Sequence, residues 1–179
     1  MKYKCAECGK MHEGWPAIAY ITPHYYDILS DEDKELYVKE LNDDFCVIEH
    51  EDQTDYFIRA ILLLEVKGNC QPLNYGIWVS LSASSFEDYN EHFFTEDYDA
   101  TYFGYISSNI PGYNNILHTK ANVVYTGGRQ RPEVIPHDNQ TDNDFTLDYY
   151  NGITIKEAEK RINAAKGGGF WSKMKKRFS

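Results

Sequence analysis

Residues 56–66, YFIRAILLLEV, decide the fold class. Apolar and β-branched side chains fill the run, which is the signature of a strand. Residues 45–50, FCVIEH, read the same way, and an acidic loop separates the two. A third strand is expected at 76–82, GIWVSLS, with Ile77, Val79 and Leu81 on one face and Trp78 on the other. A fourth is expected within NILHTKANVVYTG, 115–127. Helices lie outward from these strands. SDEDKELYVKEL, 30–41, offers Ser30 as a cap, Asp33 three residues on, and an acidic first turn that suits the helix dipole. SSFEDYNEHFF, 84–94, has Ser85 and Asp88 at capping spacing and Phe86, Tyr89 and Phe93 at helical spacing. TIKEAEKRINAAK, 154–166, has the clearest helical pattern, and Gly167 stops it. Residues 102–115 read as a loop punctuated by Gly104, Pro111 and Gly112. Residues 127–144 read as a polar, turn-rich run broken by Val134 and Ile135. Strands clustered in the middle, with helices between and after them, imply an α+β fold: a central, mostly antiparallel sheet with a few flanking helices.

A chain of 179 residues with 42% hydrophobic content has enough apolar material for one core. We read residues 1–166 as a single α+β domain and 167–179 as a basic amphipathic tail. The tail follows Gly167-Gly168-Gly169 and reads FWSKMKKRFS, with Lys173, Lys175, Lys176 and Arg177 and no acid. Removing those four bases leaves 14 against the same 28 acids in the body. As a helix the tail would place Phe170, Trp171, Met174 and Phe178 on one face. Such a segment suits peripheral contact with an anionic membrane or a partner, or packing back on its own acidic body. The net charge of −10 argues against a nucleic-acid binder, which needs a basic face for phosphates. It favours a protein that meets a basic partner. The 15 tyrosines fit either a core finished by amphipathic rings or a contact surface. No run is long and apolar enough to span a bilayer, and MKYKCAECGK has no apolar signal core, so a cytoplasmic location is the expectation.

CAECGKMH, 5–12, carries the sharpest chemistry. Two thiolates two residues apart can reach one ion, and the glycine after them frees the backbone to bend round it. Cys5, Cys8 and His12 supply three donors of a zinc-knuckle-like turn. The fourth must come from far along the chain; Cys46 is our choice, with Cys70 and His24 the other candidates. A redox pair and plain reduced thiols compete with this reading, and Cys46 also fits a buried apolar position. A closed four-ligand site argues for structure over catalysis.

Other chemistry is sparse. No motif of a metalloprotease, serine hydrolase, P-loop or dinucleotide fold occurs. His50-Glu51-Asp52 and His137-Asp138 read as solvated loops before acid–base groups. Arg129 and Arg131 form a basic point in an acidic body. They can grip a carboxylate or phosphate, or brace a loop through ion pairs. Together with Trp78, Tyr102 and Tyr105 they are the candidate binding residues.

The ordered pieces resemble a bacterial family known only as domain of unknown function 2199. The resemblance rests on C-x₂-C-G-x₂-H followed by Pro16, DDFCVI with Cys46, FIRAILLLEV, WVSLS leading into Phe86, YFGYISSNIPGY, Arg131-Pro132 and NGIT at 151–154. It covers about residues 3–160. The chain departs from the pattern after Arg131-Pro132, where VIPHDNQTDNDF puts Asn143 near an expected histidine. The resemblance implies a zinc-associated, soluble α+β protein and no activity. Composition and motifs point to a zinc-stapled, non-enzymatic binding protein that acts on a protein partner, as an immunity protein neutralises a toxin. The alternative is a metal-dependent or pocket enzyme built on Arg129, Arg131, His137 and the aromatic segment.

Overall fold

The strand expected at 56–66 runs from Thr54 to Leu64 and is the spine of the molecule. The computed structural model describes residues 2–4, 9, 11–128, 130–139 and 143–167. In chain order the elements are β1 (Lys2–Lys4), β2 (Met11–Glu13), β3 (Ile18–Ala19), α1 (His24–Asp27), α2 (Asp31–Tyr37), β4 (Val38–Leu41), β5 (Phe45–Glu49), β6 (Thr54–Leu64), β7 (Val66–Lys67), β8 (Leu73–Leu81) and α3 (Ala83–His92). They continue with β9 (Ala100–Ile106), β10 (Lys120–Tyr125), β11 (Glu133–Pro136), α4 (Asp144–Asn151), β12 (Ile153–Thr154) and α5 (Ile155–Gly167).

The sheet closes on itself. β6 pairs with β8, β8 with β9, β9 with β10 and β10 with β11, all antiparallel. β11 then returns to β6 in parallel, through Glu133 opposite Ile61. The five strands form a barrel, with β5 and β4 extending it beyond β6 and β3 beyond β8. We expected a sheet and not its closure, because closure depends on the short β11, which the sequence shows only as Val134-Ile135 in a polar run.

Period-two alternation fills the barrel. Ile58, Ala60, Leu62 and Leu64 of β6 join Ile77, Val79 and Leu81 of β8 and Ala121, Val123 and Tyr125 of β10 in one core. Trp78 points the opposite way, as expected, yet it too is buried. It joins Cys46, Ile48 and Phe57 under a second layer formed by Tyr20, Tyr25, Leu29, Tyr37 and Leu41. That second layer explains why YFIRAILLLEV is apolar on both sides: both faces of β6 are covered. α3 closes one end of the barrel with Phe86, Tyr89 and Phe93, whose rings meet Phe45 at 5.1–5.8 Å.

Four local expectations are corrected. The helix at 30–41 starts as expected, with the Asp33 N–H donating to Ser30 Oγ at 3.0 Å. It ends at Tyr37, because Val38–Leu41 pair with the edge of β5 instead. α3 is capped by Ser82 rather than Ser85; the Ser85 N–H donates to Ser82 Oγ. Residues 100–106 are a strand where a loop was expected. Gly104 obscured the alternation of buried Tyr102 and Ile106 with exposed Thr101, Phe103 and Tyr105. α4, which starts where the polar run ends, lies in a stretch for which no element was expected. Asn143 caps it, accepting from the Phe145 N–H at 3.0 Å and donating to Thr119 Oγ1 and the Asn115 carbonyl. Asn143 thus pins a helix start to the loop before β10 through its amide.

Gly104 is required by closure. A Cβ there would lie 2.8 Å from the Ser80 carbonyl and 3.1–3.2 Å from Leu81 and Val123. Relieving that contact means moving backbone across a strand pair. Gly104→Ala is therefore expected to destabilise the fold by about 1–3 kcal/mol, the usual range for overpacking, measured as a lower urea midpoint at unchanged slope. A wild-type midpoint in the variant would show that the barrel is looser than described.

Candidate functional site

The proposed site residues fall in four places. Cys5, Cys8 and Arg129 lie outside the described residues, as does the side chain of His12, whose backbone is in β2. Cys46 is fully buried in the layer with Ile48, Phe57 and Trp78. Burial, with Glu40 nearby, pushes its thiol up to about 12, so the neutral thiol is its stable form at neutral pH. Cys70 differs: it is only half-buried, in the turn between β7 and β8. The next residue, Gln71, accepts a hydrogen bond at 3.2 Å from the indole N–H of Trp15, three positions after His12. The segment leaving the opening motif is thus fastened beside Cys70. Among the described residues alone, no three acids, cysteines or histidines group as metal donors.

Trp78 is not a surface residue. Its ring is fully buried, its indole N–H donates to the Tyr20 carbonyl, and its backbone N–H donates to Ser108 Oγ. Arg131 braces a loop: its Nε donates to Asp44 Oδ1 at 2.8 Å, tying the approach to β11 to the turn before β5. Tyr102 points into the barrel mouth and donates its hydroxyl to Asp88 of α3. Tyr98 donates to the same carboxylate oxygen, and each contact is 2.7 Å.

Tyr105 faces outward. β9 turns Phe103 and Tyr105 outward, 46% and 37% exposed, with their rings edge to face at 5.0 Å. Cross-strand pairing sets Phe103 opposite Asn122 of β10, and Asn122 opposite Ile135 of β11. The His137 ring sits 5.6 Å from Phe103, with its Nε2 3.0 Å from Asn122 Oδ1. Tyr150 of α4, also about half exposed, donates its hydroxyl to the Pro136 carbonyl and extends the strip. Acids border it: Asp138 helps burial to raise the Tyr150 phenol, and Glu133 does the same at Tyr149. The face is a row of aromatic rings on a barrel wall, with Lys120 opposite Tyr105 and the acids Asp138 and Glu133 near its Tyr150 end. Sequence reading marked Tyr105 but missed Phe103 and Tyr150, because only the strand alternation shows which aromatics of 102–105 face out.

Apart from this face, a cleft of ≈ 200 Å³ opens where residues 20–27 and 108–111 meet the end of α5. Arg161 holds its wall in place. Its Nη1 donates to the Pro111 carbonyl, its guanidinium lies 3.8 Å from the Tyr113 ring centre, and Asp148 and Glu157 flank it. Its Nε is 2.8 Å from Glu157 Oε1 but finds no acceptor along the N–H direction, so the contact is one of charge rather than a directed hydrogen bond.

The chain belongs to a family described as uncharacterised proteins conserved in bacteria, domain of unknown function 2199, which matches residues 4–153. No curated protein and no solved structure matches it. No helix among the described residues is long and apolar enough to cross a membrane.

The two tyrosine hydroxyls on Asp88, and then His92, hold its carboxyl below the usual range. A lowered native value stabilises the fold fully above the unfolded-state value of ~3.9, and that contribution disappears as pH falls through the native value. Asp88→Asn is expected to flatten the stability–pH curve below pH ~4 and change its shape little above pH ~6. Urea midpoints across that range check this, and parallel curves for the two proteins would remove Asp88 from the account.

Proposed function

We propose that the protein is a non-enzymatic binding protein, stapled by zinc near its amino end, that presents the Phe103–Tyr105 face to a basic protein partner. An immunity protein that blocks a toxin is the closest functional type. One observation carries the reading. Two large rings stand outward on a strand whose alternation otherwise puts polar groups there, in a body of net charge −10. Outward aromatics are the usual anchors of an interface: the rings supply affinity once desolvated, and the overall acidity of the body speeds encounter with a basic surface.

The zinc part rests on the spacing of Cys5, Cys8 and His12. The fastening of Trp15 to Gln71 favours Cys70 as the fourth donor over Cys46. A half-buried thiol at a turn can give up its proton to a metal, whereas Cys46 would have to ionise among apolar side chains. Four such donors would hold the ion as a structural clip. Metal analysis of purified protein is expected to find one zinc per chain, lost in Cys5→Ser and Cys70→Ser and kept in Cys46→Ser. Metal-free wild type would end the staple, and loss in the Cys46 variant alone would return the fourth position to Cys46.

For the partner, benzoylphenylalanine at position 105 is expected to cross-link, in the source bacterium, to one basic protein. That protein, once purified, should bind wild type with an association rate that falls as salt rises. The double variant Phe103→Ala, Tyr105→Ala should bind it about thirtyfold more weakly, the effect of losing ~2 kcal/mol of anchor contact. Equal binding by the variant, or capture of an acidic protein only, would move the interface elsewhere.

A further inference from the structure

The cleft beside α5 has no place in the binding face just described, and what ends at its rim gives it an occupant. Ala164 and Ala165, on the last described turns of α5, form one side. Ile21 and Pro111 add apolar surface, and Asp27 lies at the wall with Thr22 donating to its Oδ1 at 2.7 Å. The helix ends at Gly167, and after Gly168 and Gly169 the chain reads FWSKMKKRFS. Two or three glycines span up to about 10 Å and adopt any turn, so the aromatic pair that follows can reach the cleft mouth without strain.

We infer that residues 170–178 dock in this cleft, with Phe170 and Trp171 against Ile21, Pro111 and the α5 alanines, and the bases that follow directed to Asp27 and the acidic surface around it. Three observations converge. The cleft lining combines Ile21, Pro111 and the two alanines with one carboxylate, Asp27, beside the polar His24, Ser108 and Asn109, which matches a segment of aromatics followed by cations. The charge difference is large: four bases and no acid in the tail against 28 acids and 14 bases in the body. The attachment is short, so the effective concentration of the tail at the cleft is in the millimolar range even for a weak contact. No arginine lines the cleft among the described residues; Arg161 reaches it only through the Pro111 carbonyl, and its charge is answered by Asp148 and Glu157. It does not repel an incoming basic segment.

The competing destination for such a tail is an anionic membrane, which uses the same rings and the same charges. The test therefore lets the tail choose. Full-length protein carrying Trp171→p-benzoylphenylalanine is irradiated alone, at two concentrations tenfold apart, and with an excess of vesicles containing phosphatidylserine. The expected result is an intramolecular cross-link mapping to residues 20–27, 108–111 or 164–165, with the same yield at both concentrations and in the presence of vesicles. Asp27→Lys should lower that yield at least fivefold, with circular dichroism confirming that the variant is folded. If it is not, added salt provides the same readout on the unsubstituted body, and the yield should fall as salt rises. Cross-links elsewhere on the chain, cross-links only between copies, transfer to lipid, or no cross-link would each overturn the assignment. The photo-probe at 171 reads the tail alone, so a failure here leaves the Phe103–Tyr105 face untouched.

Discussion

The molecule depends on β6 being covered on both faces. Inside the barrel its alternate residues make the core; outside, Phe57 and the neighbouring Trp78 need a second cover. The excursion from Tyr20 to Leu41 supplies that cover, and its shape follows from the task. Tyr25 stacks on Phe57 at 5.7 Å and holds His118 through its hydroxyl at 2.9 Å, while β4 binds the edge of β5. His118 keeps a left-handed backbone, φ 64°, a conformation that costs energy for a side chain with a Cβ. The ring contact with Tyr25 is one interaction that holds it there. Barrel, outer layer and the loop before β10 therefore stand or fall together.

This coupling also explains what could be read from the sequence. YFIRAILLLEV and GIWVSLS declared themselves because strands covered on both faces are apolar throughout. α5 declared itself through its helical periodicity. The hidden elements are those whose formation depends on distant partners. Val38–Leu41 has enough helical propensity to be read as the end of α2, and only the free edge of β5 turns it into a strand. β9 contains a glycine that looks like a breaker, because the reason for it, the Ser80 carbonyl across the strand pair, lies more than twenty residues away. The same limit applied to the site. Trp78, Tyr102, Tyr105 and Arg131 are chemically plausible contact residues, and spacing alone cannot say which side of a wall each occupies. The barrel buries Trp78, spends Tyr102 on Asp88 and Arg131 on Asp44, and leaves Tyr105 outside.

Composition carried a further message that the structure resolves. Fifteen tyrosines are compatible with a core or with a surface, and this protein uses them for both. Tyr75, Tyr89 and Tyr125 are almost wholly buried, while Tyr105 and Tyr150 are among the exposed large side chains. Burial raises the phenols of Tyr75 and Tyr89, and the hydroxyls of both find no hydrogen-bond partner among the described residues. An unpaired buried hydroxyl costs stability that a phenylalanine would not. Tyr125 avoids that cost by donating to the Phe93 carbonyl at the end of α3, where its ring also meets Tyr89 at 4.9 Å.

Closure decides what kind of recognition the exposed face can support. In an open sheet, a partner can add a strand to a free edge and bind through backbone hydrogen bonds that read little of its sequence. β9 and β10 offer no such edge, because each is paired on both sides within the barrel. Any recognition on that wall must come from side chains: rings for area, and the His137–Asn122 pair beside them for register. Side-chain recognition is the more selective mode, since it fails when a partner lacks the complementary pocket or charge. On that wall, closure therefore leaves side-chain chemistry, and not strand addition, to set what can bind.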